Sequence, residues 1–493
     1  MHIKRAKQEI KDSIEAYLKK DAAGNYVMPH VRQRPILLMG PPGIGKTQIM
    51  EQAARECGIG LVSYTITHHT RQSAVGLPFI REKEYEGRKV SVTEYTMSEI
   101  IASVYDKMEE TGLREGILFI DEINCVSETL APTMLQFLQC KTFGNQKLPE
   151  GWVIVAAGNP PEYNRSVREF DVVTLDRIKK IDVEENYEVW KEYAGQVRIH
   201  PAILAYLEIR RDFFYRMETT VDGKEFATAR GWEDLSWLLK SYEALGKQAD
   251  QEVVHQYIQH WKIAKDFAVY LELYKKYRKD YGFDGILEGK WEKETLEKLN
   301  YAAFDERLRV VSLLLSQLND RFLSWGQKES FTELLYDYLK QYKESCQLEE
   351  VAGKAESDYE KLRRAELLNK DEDKMWPEVL GRFRDYLLLV RAEHLEGSAG
   401  FARVREEFAG ETKMLEAVTE ETLEALNNGF RFMEEAFGDS QEMVVFVTEL
   451  NTSAASIRFL KENDCDLYYR YNKKLLSDGQ QQEILEDLSG LLS

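Results

Sequence analysis

The chain has 493 residues, 31% of them charged and 43% hydrophobic, with a formal net charge of −19. That length accommodates roughly two to four domains with substantial cores, and the acidic balance argues against a dedicated binder of nucleic acid or anionic membranes. Five scattered cysteines without metal-ligand spacing, no apolar run of membrane-spanning length, and an N-terminus interrupted by Glu9, Asp12 and Glu15 together lead us to expect a reduced, cytoplasmic protein without a signal peptide.

Residues 1–20 place Ile3, Ala6, Ile10, Ile14, Tyr17 and Leu18 at helical spacing, an amphipathic helix with a face for a core. The apolar run Ile36-Leu37-Leu38-Met39 then leads into Gly40-Pro41-Pro42-Gly43-Ile44-Gly45-Lys46-Thr47, and a helix is predicted from Gln48 to Glu56. Strand, glycine-rich loop, Gly-Lys-Thr and helix in that order are a phosphate-binding loop in its proper context. Gly43 and Gly45 allow a tight turn that aims N–H groups at phosphate oxygens, and the helix N-terminus adds its positive end. Lys46 is placed to reach the β- and γ-phosphates and Thr47 to ligate Mg²⁺.

A second strand is predicted over Leu61–Thr67, followed by His68 and His69, which we read as polar residues at the strand end rather than metal ligands. The turn signal Glu84–Arg88 and the alternating Lys89–Thr93 predict a hairpin inserted into the domain. Thr96 and Glu99 read as a capping box for a helix lined by Met97, Ile100, Ile101, Val104 and Met108 and stopped by Gly112.

Gly116–Ile120 reads as a buried central strand ending in Asp121 and Glu122. Below a phosphate loop, Asp121 is placed to hold the same Mg²⁺ as Thr47, and Glu122 to orient and deprotonate an attacking water. After a helix over Leu130–Leu138 and a turn at Phe143-Gly144-Asn145, the strand Trp152–Ala157 ends in Gly158-Asn159-Pro160-Pro161. Asn159 is placed to hydrogen-bond the γ-phosphate or the water, or to serve as an ordinary turn residue before proline. An arginine-bearing loop with Arg165, Arg168 and Arg177 follows, and Ile178 with Ile181–Val183 would complete a five-stranded sheet.

Ten of the 11 prolines lie within residues 1–201. The remainder is dense in helix formers, so it is expected to be nearly all helix. Tyr187–Leu245 reads as a first helical group stopped by Gly246, with Arg230 at a helix start; Ser330 and Glu333 read as a second capping box, and Gly397-Ser398-Ala399-Gly400 as a hinge or linker. The aromatic residues beyond position 260 read as core.

The loop Gly40–Thr47, Asp121-Glu122-Ile123-Asn124, Gly158-Asn159-Pro160, Leu175-Asp176-Arg177, Arg230 and the tract Thr67–Pro78 together resemble an AAA+ ATPase, more narrowly the MoxR and dynein-related branch, over residues 30–245. The resemblance implies an α/β core with a five-stranded parallel sheet flanked by helices and an α-helical lid; the long helical region beyond residue 260 extends past the usual lid, and the family does not explain it. The expected boundaries are 1–30 for the N-terminal helix, 31–185 for the core, 186–255 for the lid and 256–493 for the remainder. It further implies Asn159 as a sensor of the γ-phosphate, Arg177 as an arginine finger acting on a neighbouring subunit's ATP, and Arg230 as a lid arginine acting within its own subunit. Arg165 and Arg168 are rival fingers, because the loop after Asn159 lacks the family's usual sequence. Glu84–Thr93 and Phe143–Leu148 match hairpins that face the pore or client in that family. The expected activity is hydrolysis of Mg-ATP by a homo-oligomeric, hexameric ring that remodels a protein client, with a von Willebrand A domain protein as partner. A nucleic-acid-dependent motor and an ATP-operated switch or scaffold with little turnover are the alternatives.

Overall fold

The computed structural model describes residues 1–475 except His69, Thr70, Glu86, Gly144, Asn145, 164–166, 168–169, Asp222 and 281–282. The chain divides into two compact units, one of residues 1–189 with 356–373, the other of residues 190–355 with 374 onward.

The first unit is built on a five-stranded, all-parallel sheet. Its strands are β1 (Ile36–Met39), β2 (Gly60–Thr65), β5 (Gly116–Asp121), β8 (Trp152–Gly158) and β9 (Lys179–Asp182), in the order β2-β5-β8-β1-β9. Parallel strands covered on both faces read as unbroken apolar runs, and β5 and β8 do so. Alternate residues serve two cores. Ile36, Leu38, Phe119 and Val155 meet α1 (Ile3–Leu18) and α2 (Lys46–Cys57) on one face. Leu37, Leu118, Ile120 and Ile154 meet α4 (Glu99–Thr111) and α5 (Ala131–Cys140) on the other.

The amphipathic N-terminal helix packs by the residues its spacing singled out, with Ala6, Ile10, Ile14 and Tyr17 buried. The inserted hairpin is present as β3 (Pro78–Tyr85) and β4 (Arg88–Tyr95), eight paired residues on each side. The short helix α3 (Arg71–Val75) precedes it, and a smaller hairpin of β6 (Thr142–Phe143) and β7 (Gln146–Lys147) precedes β8. The turn expected at Phe143-Gly144-Asn145 falls partly outside the described residues.

The first capping box does not form. Thr96 Oγ1 instead accepts from the Leu77 amide at 2.8 Å, and the Thr96 amide donates to Leu77 O at 2.9 Å. Thr96 thus closes the base of the hairpin, Met97 lies exposed outside the helix, and α4 begins at Glu99 after Ser98.

In the second unit the chain is mostly helical: α7 (Tyr187–Gln196), α8 (Pro201–Ile209), α9 (Ala229–Ala244), α10 (Gln251–Tyr257), α11 (Trp261–Asp280), α12 (Lys293–Tyr301), α13 (Phe304–Ser345), α14 (Leu348–Arg364), α15 (Lys370–Ala392), α16 (Gly397–Phe437), α17 (Gln441–Thr452) and α18 (Ala454–Glu462). Helix α7 begins in the first unit, and parts of α14 and α15 also belong to it.

Three expectations are corrected here. A hairpin, β10 (Arg216–Thr220) with β11 (Gly223–Ala227), interrupts the helices of 187–245; its signal, Asp222-Gly223 between alternating segments, is a strong hairpin cue. Ser330 lies inside the 42-residue helix α13, where its hydroxyl accepts from Arg458 at 3.1 Å, because the buried stripe of Phe322, Trp325, Phe331 and Leu335 continues straight through it. The run Gly397–Gly400 is no linker but the first turn of α16. Gly400 is buried there, and a Cβ on it would come within 2.8 Å of the Tyr342 hydroxyl of α13, so small size serves close helix packing.

Candidate functional site

The register of the sheet sets the site. Met39 pairs with Gly158, Ile120 with Ala156, and Thr65 with Asp121, so β1, β8 and β5 end side by side at one edge. The loops that continue from those ends carry Gly40–Gly45, Asn159 and Glu122. This is the carboxyl edge of a parallel sheet at the point where strand order reverses, where such folds bind ligands.

The phosphate-loop segment begins at Gly40, whose amide extends the ladder to Gly158 O at 3.3 Å. A Cβ at Gly40 would stand 2.6 Å from Val183 O, so glycine is required by the close approach of β9. Gly43 and Gly45 take positive φ values of 75° and 91°, and Gly45 directly precedes the first residue of α2. Pro41, Pro42 and Ile44 complete the turn, Ile44 with its side chain against the α1–α2 core.

Lys46 opens α2 and is only 8% exposed. Its Nζ donates to Gly40 O at 2.8 Å, Pro41 O at 2.7 Å and Asn159 Oδ1 at 2.9 Å. An ammonium carries three donors, and these oxygens take one each. Thr47 Oγ1 donates to Asp121 Oδ2 at 3.1 Å. Oxygen ligands of this kind are the donor set for a hard divalent cation, and the positive-φ turn ahead of a helix N-terminus suits a phosphate chain. The residues present fit Mg²⁺ and a nucleotide.

Glu122 adopts a left-handed backbone (φ 57°), its amide donating to Asp121 Oδ1 at 2.9 Å. Its carboxylate accepts from Thr67 Oγ1 at 2.8 Å through Oε2. A non-glycine residue with positive φ persists only when its surroundings hold it there. Asn124 Nδ2 donates to Asn159 O at 2.8 Å. A Cβ at Gly158 would fall 2.6 Å from Asn124 Oδ1, so Gly158 makes room for that strut. Thr67 and Asn124 had no role of their own in the sequence reading; their cue was proximity in space to Glu122 and Asn159, which spacing along the chain does not report.

Arg177 is exposed, after the short helix α6 (Val172–Leu175), and its guanidinium donates to Gln139 of α5 rather than to the loop residues. Asp171 caps α6, accepting from the Thr174 amide at 2.7 Å, and its bonds to the Thr174 side chain and amide hold its carboxyl below the usual range. The rival fingers Arg165 and Arg168 lie outside the described residues. Arg230 is the second residue of α9, exposed, behind the N-cap Thr228, whose side chain accepts from the Gly231 amide at 3.2 Å. His69 is likewise outside the described residues. Among the described residues, no helix is long and apolar enough to cross a membrane.

Residues 36–175 match the family model described as ATPase family associated with various cellular activities (AAA), which supports an AAA+ ATPase domain in this part of the chain. A comparison with curated proteins gave no significant match.

Proposed function

We propose that the chain hydrolyses Mg-ATP as a homo-oligomeric, hexameric ring of the MoxR type and uses the cycle to remodel a protein client, with a von Willebrand A domain protein as partner. The observation that supports this most is the meeting of Lys46, Thr47, Asp121 and Asn159 on three neighbouring strand ends through direct hydrogen bonds.

Lys46 would exchange its carbonyl partners for β- and γ-phosphate oxygens, while the amides of the Gly40–Gly45 loop and the start of α2 orient the chain of phosphates. Thr47 and Asp121 would hold Mg²⁺, which when bound neutralises phosphate charge. Glu122, steadied by Thr67, orients the attacking water and takes its proton. Asn159, tied to Lys46 and propped by Asn124, binds the γ-phosphate or that water. Arg177 would reach a neighbouring subunit's ATP, an effect worth roughly 10³–10⁵ in rate in related chemistry, and Arg230 would act within its own subunit.

Nucleotide binding and hydrolysis by the purified full chain test the reading. Lys46→Ala should abolish ATP binding at micromolar nucleotide. Glu122→Gln should bind ATP and lose roughly 10²–10⁴ in turnover, the usual contribution of a general base. Unchanged binding by Lys46→Ala would refute the phosphate loop. Binding without turnover by the parent chain would favour a switch, and stimulation by DNA a nucleic-acid motor. Capture with Glu122→Gln from native cells, against Lys46→Ala, identifies the client.

A further inference from the structure

Residues 356–373, comprising the end of α14, a turn and the start of α15, belong to the same compact unit as residues 1–189. The turn is built stiffly. The Leu367 amide reaches back to Leu362 O at 3.0 Å and the Glu366 amide to Arg363 O at 3.1 Å, with Glu366 left-handed at φ 58°. Asn369 and Glu372 then cap the next helix reciprocally: Asn369 Oδ1 accepts from the Glu372 amide at 2.9 Å, and the Asn369 amide donates to Glu372 Oε2 at 2.8 Å. Across the turn, the Tyr359 hydroxyl donates to Asp373 at 3.2 Å.

This stiff turn rests on elements of the nucleotide site's own unit. Lys107 of α4, whose side chain is 12% exposed, pairs with Glu366 at 2.9 Å. Ala365 is 6% exposed. Arg55 of α2 and Leu61 of the edge strand β2 line, together with Ala365 and Leu368, a solvent-open cleft of about 570 Å³. The ion pair and the cleft lining therefore lie together on this face of the unit. Close-packed interiors resist rearrangement, whereas groups that line an open cleft have fewer contacts to lose on shifting. Arg55 sits near the C-terminal end of α2, and Lys46 and Thr47 begin the same helix. Twelve residues of helix form a rod about 18 Å long between the two ends.

We infer that the α14–α15 turn is an internal docking element that couples nucleotide occupancy of the Gly40–Thr47 loop, through α2, to the helices α14 and α15. This rests on the nucleotide reading proposed above. A ligand that moves or stiffens α2 alters this contact, and by reciprocity the state of the contact alters nucleotide affinity.

The test uses the full chain with Lys107→Glu, Glu366→Lys and the exchanged pair K107E/E366K. Two quantities are measured: hydrogen–deuterium exchange of amides in 356–373 with and without Mg-ATP, and the Kd of a fluorescent ATP analogue. In the parent chain Mg-ATP should change exchange in this segment. Each single reversal should speed exchange there and shift Kd about 5-fold or more, the lower end of typical coupling, and the exchanged pair should restore both. Ala365→Glu, which puts a carboxylate on the cleft wall, gives a stronger undocking variant and should do the same as the single reversals. Faster exchange in 356–373 with an unchanged Kd overturns the coupling and leaves nucleotide binding intact. Failure of the parent chain to bind nucleotide removes the underlying reading itself, and the coupling with it.

Discussion

Buried charge near the base of the sheet sets a pH dependence at the scale of single residues. Lys141, 4% exposed, donates to His30 O at 2.9 Å and to Gln33 Oε1 at 3.4 Å. Burial pushes its amine down from 10.5 to about 8. His30 is pushed down from 6.5 to about 4, first by burial and then by the Lys141 charge. In both cases the unfolded chain binds more protons between the two values, so stability rises with pH across each window. Stability should therefore fall as pH drops from 6.5 to 4, and should gain about 1–3 kcal/mol from Lys141 as pH climbs from 8 to 10.5. Unfolding followed by circular dichroism from pH 4 to 10.5 measures this. Lys141→Met should flatten the alkaline rise; an undiminished rise would place its origin elsewhere.

Between elements, the register of three strands explains two glycines that bear no turn. Gly60 pairs with Gly116, and Gly116 with Trp152, so the indole, fully buried, lies over the two glycines. A Cβ at Gly116 would stand 2.6 Å from two ring atoms and 2.8 Å from Gly60 O. Overpacking of this kind costs about 1–3 kcal/mol. Gly116→Ala should accordingly lower the thermal midpoint of the parent chain in calorimetry, and pairing it with Trp152→Phe should recover part of the loss. An unchanged midpoint in Gly116→Ala would mean that the strand shifts to make room.

For the whole molecule, hydrolysis that depends on a neighbour's arginine should behave as a property of the assembly. Arg177→Ala and Glu122→Gln subunits are each expected to be inactive as pure populations. Mixed, they should regain part of the activity, because an interface with an intact Glu122 on one side and an intact Arg177 on the other is complete. Turnover against mixing ratio is the measurement. No recovery at any ratio would remove Arg177 from the trans role and direct attention to the loop before it.

Much of this could be read along the chain because it rests on local chemistry. Positive-φ glycines, a helix beginning at Gly-Lys-Thr, an unbroken apolar strand ending in two acids and the helical stripe from Ala6 to Tyr17 each depend on neighbours a few residues away. The five-stranded sheet and the long helical region followed from such patterns. The β10–β11 hairpin was missed despite its local Asp-Gly cue, but the other misread features have the opposite character. Thr96 and Ser330 satisfy a capping pattern in sequence, yet one closes a hairpin base and the other sits inside a helix held by its buried stripe. The glycines at 397 and 400 look flexible, yet both belong to α16 and Gly400 lies against Tyr342 of α13. Thr67 and Asn124 stand inside recognisable tracts, and Asn369 with Glu372, at the α14–α15 turn, is a capping pattern, but none of these signals tells which remote group each one meets. Their roles arise from groups 35 to 55 residues apart in the case of the two side chains, and far more distant for the turn. Local backbone preference was sufficient to specify the elements and the phosphate loop. Which polar groups meet at the strand ends, and which distant segment pairs with Lys107 of α4, was decided only when the tertiary fold brought remote residues within hydrogen-bonding reach.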